Sequence, residues 1–287
     1  MSDELSRVRI FAKTVRYSGD KLRAKGSIKR SNDEKNSFFS MNSMLINPLV
    51  TPVISKSIEN VINRLQIPHE SVKAYVYASS DIQAECHAGD DVDCIIRLSS
   101  GLIDILEDKE IDFVVGHEIG HFIYAHGSAI ASNRSESLEF SIQQRAQEIS
   151  ADRIGLLACG SLDHSIRAMM KTMSGLSSKY LKFNIGAFLS QLSNTEKFKS
   201  QIDSNSSHPS ILVRCRALLW FSMSETFKSG EQNYQPNEVA KLNKKIKDDI
   251  DKFVDSIARE RINTLKKDVA LWLCAAKIIE DNAFNSN

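Results

Sequence analysis

Asp108-Lys109-Glu110-Ile111-Asp112-Phe113-Val114-Val115-Gly116-His117-Glu118-Ile119-Gly120-His121-Phe122-Ile123 is the stretch that decides the reading of this chain. Ile111, Val114, Val115, Phe122 and Ile123 recur at helical spacing. Asp108 is the expected N-cap, Glu110 and Asp112 put negative charge in the first turn, and Gly127 is placed to end the helix. That helix carries a His-Glu-x-x-His box. Four residues turn through about 400°, so His117 and His121 project from one face, roughly 40° apart and one turn along the axis. Two ring nitrogens so placed suit one zinc ion. Glu118 follows the first histidine directly, beside the ion without ligating it, where it takes a proton from an attacking water. Chance gives such a box in on the order of one per cent of chains this long, so its surroundings must decide. They favour a buried amphipathic helix, the rigid mount that a metal site needs.

Two histidines leave room for a third protein ligand. A helix predicted over residues 134–158 shows Glu148 and Asp152, four apart, on one face. Glu148 is the expected ligand. Asp152 then accepts the outer ring N–H of a zinc histidine and fixes its tautomer. By itself an acidic pair on a helix is a solvated face; the box reverses that reading. Glu139 is a rival ligand, but it lacks an acidic partner one turn on, and small Ser150 and Ala151 favour close helix packing beside Glu148. Further along, His208-Pro209 precedes a helix predicted over 210–227. His208 there is a candidate donor to the oxyanion of a tetrahedral intermediate, although spacing alone makes it a helix-start histidine. His126 is about half a turn out of phase with His117 and is expected to face away from the metal. His69, His87 and His164 have no paired ligand nearby in sequence.

The box with its approach, Glu148-x-x-x-Asp152 and His208-Pro209-x-x-x-x-Arg214 follow one another in this order, after Ser100-Gly101-Leu102-Ile103-Asp104-Ile105-Leu106. The set resembles the zinc metallopeptidases related to HtpX and the type 1 CAAX prenyl endopeptidase, over roughly Ala74 to Phe221. The resemblance implies an α+β, mostly α, zincin-like catalytic domain with a small β-sheet. It implies one Zn2+ per chain held by His117, His121 and Glu148, with Glu118 as general base. Asp152 would orient a zinc histidine, His208 would stabilise the oxyanion, and Arg214 would pair with an acidic group. The expected activity is a metalloendopeptidase acting on peptide or unfolded protein. The alternative is a regulatory or binding module that keeps zinc for structure without turnover. Where relatives usually carry Asn-Ala ahead of the active-site helix, this chain has Gln83-Ala84-Glu85.

Composition narrows the classes further. The 287 residues are 42% hydrophobic, enough for a sizeable core without disulfides. Lys plus Arg number 37 against 36 Asp plus Glu, so no bulk attraction to nucleic acid or anionic membrane is expected. Five scattered cysteines, with no Cys-x-x-Cys pair, suggest reduced thiols rather than a thiolate zinc site or a disulfide framework. No apolar run of about 18 residues is present and Met1-Ser2-Asp3-Glu4-Leu5 does not read as a secretory leader, so the expectation is a soluble, cytoplasmic protein without a transmembrane segment.

Three regions are expected: an N-terminal arm or hairpin over 1–45, the catalytic domain over 46–228, and a C-terminal helical extension over 237–287. A helix is predicted from Thr51-Pro52 to about Gln66. Strands are predicted over 72–78 and 94–98, with a loop or short hairpin between them. Strand 94–98, or the segment just before it, is expected to offer an edge along which substrate lies. Another helix is predicted over 161–176, and 190–207 reads as a loop. Beyond the linker at 229–236, one apolar stripe runs through Leu242, Ile246, Ile250, Phe253 and Ile257. A second runs through Ile262, Leu265, Val269, Trp272, Ala276 and Ile279 in heptad-like spacing. A bend near Arg259 is expected between them. Packing of these stripes on the catalytic domain is the plainer reading; an oligomer or adaptor contact is the other.

Overall fold

The computed structural model describes residues 41–88, 94–126, 138–195, 211–229 and 256–284, with 11–17 and the single positions 8, 20, 39, 240, 241, 244, 245 and 248. In chain order the elements are β1 (Met44–Leu45), α1 (Pro52–Leu65), β2 (Val72–Tyr77), β3 (Ala84–Ala88) and β4 (Cys94–Ser99). There follow α2 (Ser100–Ile105), α3 (Asp108–Ile123), α4 (Leu138–Cys159), α5 (Leu162–Ser174) and α6 (Ile185–Thr195). The last are α7 (Ile211–Ser222), α8 (Glu225–Ser229) and α9 (Ser256–Phe284). The fold is mostly helical with one small sheet, as the sequence leads one to expect. No described helix is long and apolar enough to cross a membrane.

The sheet runs β1-β2-β4-β3. β2 and β4 are parallel, while β1 and β3 lie antiparallel on either side. Strand β4 is therefore interior, as its buried Cys94, Ile95, Ile96 and Leu98 require. The edge beside α3 belongs to β3, the segment just before the strand expected over 94–98.

α3 begins one residue earlier than its sequence suggests. Glu107 is the N-cap, its side chain accepting from the backbone of Glu110, whose carboxylate accepts from the Glu107 N–H at 2.8 Å. The helix ends at Ile123, short of Gly127, which lies outside the described residues. Its N-terminal end is anchored to α5 by a wholly buried ion pair, Lys171 Nζ to Glu110 Oε2 at 2.6 Å.

α3 and α4 meet along a seam of small residues. A methyl group added at Gly120 would stand 2.9 Å from Ala151 Cα, and one added at Gly155 would stand 2.8 Å from the Phe113 carbonyl. Gly116 faces Ala158 just as closely. Backbones this near bring a side chain on α4 within reach of the histidines on α3.

The N-terminal segment joins the same core. Residues 11–15 are helical rather than part of a hairpin, and Val8, Ala12, Val15 and Tyr17 are buried in the cluster that holds Val115, Ile119 and Ile149. Three hydrogen bonds tie the segment to α4 and to the end of α3. Tyr17 N–H donates to Ser150 Oγ, Arg153 Nη1 to the Val15 carbonyl and Tyr124 Oη to the Ala12 carbonyl.

Candidate metal centre

His117 and His121 stand one turn apart on the buried face of α3, with their Nε2 atoms 3.1 Å from each other. Glu148, on α4, brings its Oε2 to 3.6 Å from His117 Nε2 and its Oε1 to 3.5 Å from His121 Nε2. A tetrahedral zinc bound at ~2.0–2.1 Å spaces its ligand atoms about 3.3–3.4 Å apart. The two ring nitrogens and the two oxygens of the one carboxylate are thus spaced about as the ligands of one cation would be. Among the described residues it is the one group of His, Cys, Asp and Glu side chains close enough to hold an ion.

The outer side of the triangle is built around Asp152. His117 Nδ1 lies 3.0 Å from Asp152 Oδ1, which leaves the Nε2 lone pair of His117 turned inward. Arg214, on α7, grips Asp152 through two bonds, Nε to Oδ2 at 2.8 Å and Nη2 to Oδ1 at 2.6 Å. Its third nitrogen, Nη1, reaches Glu148 Oε2 at 3.1 Å. One guanidinium therefore links the two carboxylates, fixing Glu148 and Asp152 relative to each other.

Burial and charge set the protonation of these groups. Burial penalises the charged form of Asp152, but Arg214 and His117 outweigh it and hold the carboxyl below its ordinary range. Burial also works against protonated His117, yet the bond to Asp152 and the charges of Asp152 and Glu148 raise its pKa. For His121 burial wins, pushing its pKa down to about 3, so at neutral pH its ring offers a lone pair. Glu118 is 8% exposed, and burial raises its carboxyl to about 7. The Arg214 guanidinium has its pKa raised by Asp152 and Glu148 in spite of its own burial.

His126 does not face away from this cluster. The helix stops at Ile123, Ala125 takes a left-handed φ of 53°, and the chain folds His126 back so that its Nδ1 lies 2.9 Å from His121 Nδ1. Helical phase could not foresee this, because His126 is beyond the helix. Asp20 and Gln143, which continue the contact, gave no signal in local sequence. His208 lies outside the described residues, as does the side chain of Glu139.

Comparison with known proteins bears on the histidine box and the segment before it. Residues 48–138 match the model of peptidase family M48. Metalloprotease YcaL of Escherichia coli is 29% identical over 118 residues, 38% of this chain and 42% of that protein. The plastoglobule-localized metallopeptidase 48 of Arabidopsis thaliana is 26% identical over 161 residues, 47% of each chain. Metalloprotease LoiP of Escherichia coli is 34% identical over 74 residues, 25% of this chain and 28% of that protein. The chain thus spans less than half the length of the curated relatives it matches, and no solved structure matches it significantly. Over residues 48–138, the region that holds the histidine box and its approach, the chain is similar to peptidase family M48.

Proposed function

We propose that this chain is a zinc-dependent endopeptidase that hydrolyses peptide or unfolded-protein substrates. The observation that carries the reading is the triangle of His117, His121 and Glu148 with the buried carboxyl of Glu118 beside it. In the proposal the three residues hold one Zn2+. A bound zinc supplies a Lewis acid for the scissile carbonyl and lowers the pKa of a water. Glu118 takes the proton of the attacking water and later gives it to the leaving amine. A carboxyl poised at about 7 suits both halves of that task. Asp152 orients His117, and Arg214 holds Asp152 and Glu148 in register. His208 serves as the donor to the oxyanion. Substrate lies as an added strand along the β3 edge, which lies against α3. A cytoplasmic setting belongs to the same proposal; the five cysteines are free thiols, which suits a reducing compartment.

Replacing Glu118 with Gln tests the mechanism. Cleavage of a denatured protein substrate should fall by at least ~10³-fold, as expected when the base is lost from a hydrolytic site, while zinc content by elemental analysis stays at the wild-type level. Undiminished turnover in that variant refutes Glu118 as the base. Stoichiometric zinc with no cleavage by the wild type would favour the regulatory or binding module.

A further inference from the structure

His117 and His121 are supported differently. A metal-binding histidine needs its outer nitrogen held, because that contact decides which ring nitrogen keeps a free lone pair. For His117 the partner is a carboxylate, Asp152, at 3.0 Å. For His121 it is another imidazole: Nδ1 of His121 lies 2.9 Å from Nδ1 of His126. The far nitrogen of His126, Nε2, lies 3.1 Å from Asp20 Oδ2, and Asp20 Oδ1 accepts from Gln143 Nε2 at 2.7 Å. The His126 side chain is 6% exposed and that of Asp20 2%. Tyr124 stacks on the His126 ring at 5.3 Å between centroids, and its hydroxyl is bound to the carbonyl of Ala12 in the same N-terminal segment as Asp20.

One placement of protons satisfies this whole line. The Asp20 carboxylate can only accept, so His126 carries its proton on Nε2 and donates it to Asp20. The neutral ring then offers a lone pair at Nδ1. His121 answers with a proton on Nδ1, which leaves its Nε2 bare toward His117 Nε2 and Glu148. The reverse placement would put a proton on His121 Nε2, in the middle of the ligand triangle.

We infer that Asp20 and His126 are positioning residues for the metal, acting in series to hold His121 in the tautomer and orientation that ligates. The inference rests on the zinc reading above and extends the site to a segment about a hundred residues upstream of the box. It makes metal affinity, and not only activity, depend on Asp20.

The test measures Zn2+ affinity of the full chain by competition with a chromogenic chelator, together with the visible spectrum of the Co2+-loaded protein. Asn places a carbonyl oxygen close to where His carries Nδ1, whereas Phe keeps the ring and loses both nitrogens. The expected result is that His126→Asn stays within a few-fold of wild type. His126→Phe and Asp20→Asn should bind zinc about 10- to 100-fold more weakly, the range typical of lost partners of metal histidines, with an altered cobalt spectrum. If His126→Phe binds like wild type while His126→Asn does not, His126 acts by packing and the inference is overturned. Equal affinity in all three variants overturns it as well. A wild-type chain that binds no zinc instead refutes the zinc reading itself.

Discussion

Glu118 spends most of its surface against the protein interior, and this has a measurable cost in the metal-free chain. Its carboxyl titrates at about 7 instead of 4.5 because burial disfavours the charged form. The folded state therefore holds the proton more tightly than the unfolded state. The cost is absent below pH ~4.5, grows as pH rises, and is complete above pH ~7, where it reaches on the order of 3 kcal/mol. Gln at this position carries no charge to desolvate. Metal-free Glu118→Gln should thus be more stable than metal-free wild type at pH 8, by roughly 1–3 kcal/mol, with the advantage vanishing near pH 4.5. Urea unfolding at both pH values checks this, and equal stability at pH 8 would show that the carboxyl is not destabilised there. His117 predicts an opposite dependence for the metal. Its raised pKa means that a proton competes with the cation for Nε2. Zinc affinity should fall as pH drops through that raised value, with proton release on binding visible by calorimetry in two buffers. The box was legible because its geometry is local: four residues of helix fix both rings. Asp152 was legible for the same reason once Glu148 was chosen. The contacts of Arg214 with Asp152 and of Asp20 with His126 cross 62 and 106 positions of chain, and no local period announces them.

Close approach of two helices turns a box on α3 into a three-residue site. Gly120 lies against the backbone of Ala151, so even a methyl group there must push the helices apart. Gly120→Ala should cost about 1–3 kcal/mol of stability, although alanine is the better helix former. Because Glu148 lies one turn from the contact, zinc affinity should fall with it. Gly186 on α6 is exposed, and a methyl group there meets nothing closer than Asn184 Oδ1 at 3.5 Å. Gly186→Ala should therefore be neutral or stabilising by up to ~1 kcal/mol. Thermal melts with zinc titrations of the two variants separate helix propensity from helix spacing; a Gly120→Ala chain as stable as wild type would remove the seam as the cause. The sequence pointed to small residues on α4, but a glycine inside a helix reads only as a weak spot until its neighbour is known. Helix α6 shows the converse error. Its Ser, Gln and Asn content suggested a loop from residue 190, yet Phe188 is buried and the helix continues to Thr195. Of the arm or hairpin expected over 1–45, residues 11–15 are instead helical, and Ala12 and Val15 are covered by the core.

The two ends of the molecule stand in opposite relations to its core. Val8, Ala12, Val15 and Tyr17 are at most 9% exposed, and their segment supplies backbone acceptors to Arg153 and Tyr124. On α9 every described side chain from Asn263 to Glu280 is exposed, including Val269 at 57%, Trp272 at 77% and Ile279 at 70%. The expected packing of that stripe onto the catalytic domain is not seen among these residues. An exposed apolar seam of this kind fits the other expectation, a contact with a second copy or an adaptor. Deleting residues 1–20 removes the four buried apolar side chains just named, of which Val8, Val15 and Tyr17 alone contribute about 1.5–3 kcal/mol each by burial. Against a typical total of roughly 5–15 kcal/mol, that deletion should abolish the cooperative thermal transition and zinc binding with it. Deleting residues 256–287 should leave both the midpoint and zinc stoichiometry as in the full chain, and should leave a monomer at every concentration in sedimentation. A midpoint lowered by more than ~4 °C, about 1 kcal/mol for a chain of this size, would mean that α9 belongs to the folded core after all, with its seam turned inward.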